Sequence, residues 1–249
     1  MQNIISPKNI KRLLKSKKFR DQRNLYVAEG DRWLREAIKS QSHIETIFVT
    51  NEWMDKNRKI NISQYPHQII NINEMRSLAD TVTPSGAIAV IKKKTLEFPN
   101  KPNLVLILDS IKDPGNMGTL IRTSTAVGVD ALILSPQCVD IYNPKVVRST
   151  MGSILRLPII KEDWDSIHNR VKDLQIFAAD MGRSKAYSQV NWSQPSALII
   201  GSEAHGLSQE AKEITSQVIS IPIKDNTESL NAAVAASVIL FEAQRQRTN

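Results

Sequence analysis

The chain has 249 residues and 41% hydrophobic content, enough to bury one large core or two modest ones, and no apolar run reaches the roughly 18 residues a membrane span needs. Its one cysteine, Cys138, excludes an internal disulfide and fits a reducing, cytoplasmic setting; with only four scattered histidines, no metal centre is expected. The net charge of +8 belongs wholly to residues 1–100, which hold 18 Lys+Arg against 10 Asp+Glu, while residues 101–249 hold 15 of each.

Ser6-Pro7 predicts a helix start, with Ser as N-cap and Pro at the first helical position. Lys8, Lys11, Arg12, Lys15, Lys17, Lys18, Arg20 and Arg23 then face one acid, Asp21, over a narrow apolar stripe of Ile10, Leu13 and Leu14. So dense a run of cations is a phosphate-binding footprint. Lys11, Arg12, Lys15 and Lys18 are its candidate nucleic-acid contacts. On the residues alone, a solvated face, a membrane-surface helix and a targeting peptide stay open as readings.

Residues 25–95 read as a small α/β unit. Strands are expected at Leu25–Ala28, Ile44–Thr50, Gln68–Ile72 and Gly86–Lys92, and helices at Asp31–Lys39 and Glu74–Asp80, with Asn51–Tyr65 a polar connection. Lys92 through Pro102, polar and holding two prolines, is the expected linker.

Beyond it, Leu104–Leu108 is an unbroken apolar run, as suits a strand buried on both faces of a parallel sheet. It stops at Asp109, and Asp113-Pro114-Gly115-Asn116 turns the chain into a helix carrying Arg122. A strand ending in a polar, Gly-containing loop that opens a helix is where open α/β sheets bind ligands, although an ordinary βα connection reads the same way. Neither a dinucleotide fingerprint nor a P-loop is present.

Further strands are expected at Ala131–Leu134, Leu155–Ile160, Ile176–Ala179, Ala197–Ile200 and Ile219–Ile223. Between them lie a helix begun by Asn143-Pro144, which carries Arg148, and another over Ile167–Leu174. The alternation points to a parallel sheet with helices on both faces. Gly201-Ser202-Glu203-Ala204-His205-Gly206-Leu207-Ser208 follows one strand end, its glycines letting a ligand approach the backbone closely. Glu228-Ser229-Leu230-Asn231 opens a last helix, whose apolar positions Leu230, Val234, Val238 and Phe241 recur at helical spacing.

These stretches carry a resemblance. DPGNMGTLIRT looks like the first motif, N-x-G-x-x-x-R-T, of the SpoU-type (TrmH-like) branch of the SPOUT RNA methyltransferases; GSEAHGLS resembles its second, and IPI with ESLNAAVAASVILFEAQR its third. YVAEG and TPSGAIAVIK resemble, more loosely, the ribosomal-protein-like substrate-binding domain of many such enzymes. The resemblance implies a basic RNA-binding domain over 1–95, a linker over 96–102, and over 103–249 an α/β methyltransferase domain with a deep trefoil knot.

It also implies S-adenosylmethionine as cofactor, held by Gly201, Ile221 and Leu230, and a homodimer. The reaction implied is methyl transfer to an RNA ribose 2′-hydroxyl, with ribosomal RNA of the large subunit favoured over transfer RNA. Arg122 would stand at that hydroxyl, Asn116 would shape the loop, and Glu203, Ser229 and Asn231 would complete the site, with Arg148 as a further RNA contact or a surface ion pair. His205 and Cys138 are assigned no chemistry. A silent RNA-binding protein and a nucleotide-binding Rossmann protein are the rival readings.

Overall fold

The computed structural model describes residues 5–182, 184–224 and 229–248. The chain divides into two compact units: the residues up to Lys94 together with Asp140–Arg156, and Thr95–Val139 together with Leu157 onward. A linker read from composition does not show that Asp140–Arg156 rejoins the N-terminal residues.

The first unit begins with α1 (Pro7–Lys15) and α2 (Lys17–Arg23). Ile10 and Leu13 are buried, while Lys11, Arg12, Lys15 and Lys18 are exposed. Then come β1 (Leu25–Glu29), α3 (Asp31–Lys39), β2 (Ile44–Val49), α4 (Asn51–Lys56), β3 (His67–Ile69), α5 (Ile72–Leu78) and β4 (Ala87–Lys92). The sheet order is β1-β4-β2-β3, with β4 antiparallel to β1 and β2, and β3 parallel to β2. Two expectations shift. The polar stretch after Thr50 holds α4, because the Thr50 hydroxyl caps it by accepting from the Trp53 N–H at 3.2 Å and Trp53 anchors it in the core. Ile72 opens α5 instead of ending a strand, because Asn71 and Glu74 form a reciprocal capping box.

The second unit opens with β5 (Leu104–Leu108), α6 (Pro114–Val127) and β6 (Ala131–Leu134). The chain then passes into the first unit, where it forms α7 (Pro144–Thr150), and returns as β7 (Ile159–Lys161). It continues through α8 (Trp164–Val171), β8 (Gln175–Ala179), β9 (Lys185–Ala186), β10 (Ser196–Ile200), α9 (Gln209–Ile214), β11 (Gln217–Ser220) and α10 (Ala232–Thr248). The seven strands are parallel in the order β7-β6-β5-β10-β8-β11-β9, with β5 and β10 buried at every position. The strand expected at Leu155–Ile160 is shorter: Ser153–Leu155 forms a single 3-10 turn and pairing starts only after Pro158. Likewise β11 ends at Ser220, before Pro222, which lacks the N–H a ladder needs.

Two sequence groupings dissolve in three dimensions. Arg20, counted with the basic face, is buried. Its guanidinium donates to Asp140 at 2.6 and 3.1 Å and to the carbonyls of Leu13 and Leu14 at 2.6 and 3.2 Å, tying both helices to the α7 segment. The Trp33 indole donates to the Val147 carbonyl at 2.9 Å, a second tie to that segment. The stripe Val234, Val238 and Phe241 is not the buried face of α10. That face is Ala232, Ala233, Ala236, Ile239, Leu240 and Ala243, whose small residues let α10 pack on α6, while Phe241 stays 51% exposed.

Candidate active site

The chain runs β5, β6, β7 toward one edge of the second sheet and places its later strands on the other side of β5, so the order reverses between β5 and β10. The crevice beyond their carboxyl ends is the topological switch point where such sheets bind ligands. Asp109 ends β5 there with its side chain buried. Its carboxylate accepts from the Ser208 N–H at 2.6 Å and the Ser110 hydroxyl at 3.0 Å, joining the β5–α6 turn to the loop after β10. Ser110 takes a left-handed conformation (φ 60°), and its N–H donates to the Ser135 hydroxyl at 3.0 Å. Asp113 caps α6 by accepting from the Asn116 N–H at 2.8 Å, which aims the Asn116 side chain from the first turn.

That amide is the middle of a relay. The Asn231 carbonyl oxygen caps α10, accepting from the N–H groups of Ala233 and Val234 at 3.0 and 3.2 Å. Its NH2 is therefore free to donate, and does so to Asn116 Oδ1 at 3.0 Å. With Asn116 Oδ1 engaged, Asn116 Nδ2 donates to Glu203 Oε1. Each amide has its orientation fixed by its neighbour, and the chain ends on a carboxylate.

Glu203 sits in a tight turn closed by two backbone bonds, Ser202 N–H to Gly206 O at 3.0 Å and Gly206 N–H to Ser202 O at 2.9 Å. A Cβ at Gly201 would collide with the Gly206 carbonyl and lie 2.8 Å from the Leu207 nitrogen, so no side chain fits there. Gly206 holds φ at 62°, in the left-handed region glycine adopts without strain. The loop therefore presents bare backbone, with the partly buried Ile221 and Leu230 as aliphatic side chains of the same unit.

Of the five polar residues carried over from the motifs, Asn116, Glu203 and Asn231 are joined directly. Ser229 and Arg122 are exposed and bond to none of these three; Arg122 lies on α6, six positions beyond Asn116. Glu228, read as part of the last helix start, lies outside the described residues. In the first unit, Arg12 lies 4.0 Å over the Phe19 ring, and Arg148 pairs with Asp80 at 2.7 Å. The Cys138 thiol donates to the Leu108 carbonyl at 3.2 Å, and burial pushes its pKa up, so it is not a nucleophile. No cluster of metal-ligating side chains occurs among the described residues. Sequence reasoning missed Asp109 as the link between the two loops. An acid directly after an apolar run was the available signal, but it reads equally as a strand end.

Comparison with known proteins bears on this geometry. Residues 103–241 match the SpoU rRNA Methylase family, and residues 8–89 match the MRM3-like substrate binding domain. The chain is 30% identical to the 23S rRNA (guanosine(2553)-2'-O)-methyltransferase RlmP of Bacillus subtilis, over 97% of this chain and 98% of that protein. It is also 30% identical to the mitochondrial rRNA methyltransferase 3 of Xenopus tropicalis, over 95% of this chain and 74% of that one. An AdoMet-bound rRNA methyltransferase from Sinorhizobium meliloti superposes with a TM-score of 0.86 at 26% identity, over 98% of this chain and 95% of the other.

Proposed function

The chain belongs to the SpoU rRNA Methylase family, and from that membership and the site's geometry we infer that it transfers a methyl group from S-adenosylmethionine to a ribose 2′-hydroxyl of RNA. Large-subunit ribosomal RNA is the substrate class favoured, since the RlmP relative, matched over nearly its whole length, acts on 23S rRNA by its name. The observation that carries the reading is the Asn231–Asn116–Glu203 relay at the β5/β10 switch point, which unites residues of all three motifs.

The residues present fit the cofactor. The site where no Cβ can stand, Gly201, and the turn around it offer backbone donors and acceptors at close approach, while Ile221 and Leu230 offer aliphatic surface. When bound, S-adenosylmethionine supplies a methyl already activated on a sulfonium. A ribose hydroxyl is a weak nucleophile until its proton begins to leave, and in-line displacement rewards correct placement above all. The relay holds the loops that define that placement. As an arginine, Arg122 is poorly suited to accept the proton, which another acceptor must take. Its planar fork suits it to orient the substrate phosphate and to stabilise the oxyanion as it develops.

The match of residues 103–241 to the family model supports the trefoil knot expected of this family. We assign residues 1–95 to RNA capture, 96–102 to the linker and 103–249 to the methyltransferase domain, with Asp140–Arg156 structurally part of the first unit. A second copy of the chain covers the exposed Val234, Val238 and Phe241 face of α10, giving a homodimer. No described helix is long and apolar enough to cross a membrane. The lone buried thiol suits the cytoplasm.

The test is ribose-methylation mapping. Large-subunit rRNA from a deletion strain, incubated with the protein and labelled S-adenosylmethionine, should gain one 2′-O-methyl mark that is missing in the strain. Asn116→Ala and Glu203→Ala should abolish the labelling. Label that enters transfer RNA alone, or no RNA at all, would refute the substrate assignment.

A further inference from the structure

We propose that the cleft at the end of β4 in the first unit is a phosphate-binding site for the backbone of the substrate RNA. The proposal rests on the RNA methyltransferase reading above and adds a contact outside both the methyl-transfer site and the basic helices. The cleft holds about 310 Å³, at the small end of ligand sites, and is lined by Lys92, Lys93, Lys94, His43, Tyr26 and Tyr142 among others.

The three consecutive lysines are not equivalent. The Lys93 side chain is 12% exposed, pairs with Asp21 at 2.6 Å and lies 4.7 Å over the Tyr142 ring, so its ammonium is already engaged, although Asp21 is shared with Lys17. Lys92 and Lys94 are exposed and form no ion pair among the described residues, so they supply the cleft's free positive charge. His43 adds a ring nitrogen, held 3.4 Å from Glu45.

The tyrosines are the second observation. Their rings lie 4.9 Å apart, and neither phenol hydroxyl bonds to any described residue, although Tyr26 is only 1% exposed. A hydroxyl without a partner in the protein can donate to a ligand in the cleft it lines. Burial also raises both phenol pKa values, Tyr142 to about 12, so both hydroxyls remain donors across the working range of pH. The cleft therefore presents ammonium and phenol donors, beside the Ser40 and Ser42 hydroxyls and the apolar Ile154 and Leu155, to whatever enters.

A phosphate accepts from all of them, and the volume leaves room for its attached sugar. A base is less well served, because Lys93 and Tyr26 are already packed around the Tyr142 ring. An RNA chain is favoured over a free anion because the cleft belongs to the part of the chain that carries the whole charge excess.

The experiment compares full-length wild type, Lys92→Gln/Lys94→Gln and Tyr26→Phe for binding to large-subunit rRNA across a salt series. Adenosine monophosphate and inorganic phosphate serve as small competitors. Unchanged melting and S-adenosylmethionine binding confine the comparison to the cleft. The double variant should lose about tenfold in RNA affinity, with a salt slope lower by roughly 1.4 to 1.8 for two phosphate contacts. Tyr26→Phe should lose a few-fold with an unchanged slope, and the small competitors should displace RNA only at millimolar concentration. A wild type that methylates rRNA beside a double variant of unchanged affinity and slope would overturn the cleft alone. Tight binding of either small anion with RNA binding indifferent to the substitutions would do the same. A wild type that neither binds nor methylates rRNA would overturn the functional reading, and the cleft with it.

Discussion

The two units of this chain cover their sheets with different materials. In the first, the sheet has antiparallel pairs and a three-residue edge strand, and partners distant in sequence are held by charge: Arg20 with Asp140, Lys93 with Asp21, Arg148 with Asp80 and Arg156 with Glu36. In the second, the central strands β5 and β10 are apolar and buried throughout, apart from Ser196 at the start of β10, and the polar residues at their carboxyl ends meet through amides and backbone groups. Charge is screened by salt and tolerates displacement, whereas a hydrogen-bonded relay on a rigid sheet does not. Ion pairs thus hold the first unit together, whereas hydrogen bonds hold a geometry in the second; on the function proposed above, the exposed cations of the first unit grip the RNA. Changes in the first should appear in binding or in local stability, and changes in the second in turnover.

The largest effect expected is on Arg122. Lysine keeps the charge and loses the fork, so Arg122→Lys should lower single-turnover methylation about 100-fold or more while RNA and cofactor affinities hold. A nearly wild-type rate at saturating RNA would remove Arg122 from the catalytic list and blur the division between the units.

Next comes Arg20. With its guanidinium 4% exposed and Asp140 12% exposed, Arg20→Ala leaves a carboxylate buried without its partner and should cost about 3 kcal/mol in urea unfolding. Arg20→Met combined with Asp140→Leu should recover part of that loss, because an apolar pair carries no desolvation penalty while the Leu13 and Leu14 carbonyls still lose their donor. Equal losses in the single and double variants would mean that packing, not charge, joins α1 and α2 to the α7 segment.

Replacing Lys11, Arg12, Lys15 and Lys18 together by Gln should weaken RNA binding by one to two orders of magnitude, on the order of 1 kcal/mol or less per lost phosphate contact, and flatten its salt dependence. S-adenosylmethionine affinity should not move. This is a cleaner test than deleting residues 1–100, since that cut would also strip α7 of its partners within the first unit. A steep salt slope that survives the substitution would place the RNA-binding charge elsewhere.

Phe241→Glu should convert the proposed dimer to monomer in light scattering by putting a charge on the exposed apolar face of α10. The fold should persist, because the buried face of that helix is untouched. A variant that stays dimeric would move the interface off this helix.

The smallest effect concerns Glu242. Hydrogen bonds from Arg245 and then Gln246 lower its pKa from the ordinary 4.5 to about 2. A depressed folded-state pKa contributes stability above the unfolded value and loses it as pH falls from about 4.5 to about 2. Because Arg245 is largely exposed, Glu242→Gln should cost under about 1 kcal/mol at pH 7, with the difference vanishing toward pH 2. A deficit that persists at pH 2 would mean that Glu242 acts through packing and not through its charge.

Some of this was determined by local sequence. Leu104–Leu108 and Ala197–Ile200 read as strands because burial on both faces leaves no polar alternation to disguise them. Asp113-Pro114 and Asn143-Pro144 read as helix starts because capping needs only a side chain and the next few N–H groups. The family motifs were legible for the same reason, each lying at a strand end or helix start where caps and glycines act locally. α4 was missed, since its start depends on one threonine hydroxyl and one buried tryptophan amid polar residues.

What tertiary structure alone decided is everything that depends on strand order. Asn116 and Glu203 meet because β10 pairs with β5, and Asn231 joins them because α10 packs on α6, neither of which any spacing in the chain records. Arg20 left the basic face because Asp140, 120 positions away, returns to the first unit to meet it. The stripe on α10 had the right period and the opposite orientation. Periodicity shows that a helix has two faces, and the alanines that fit closely against α6 decided which one is buried.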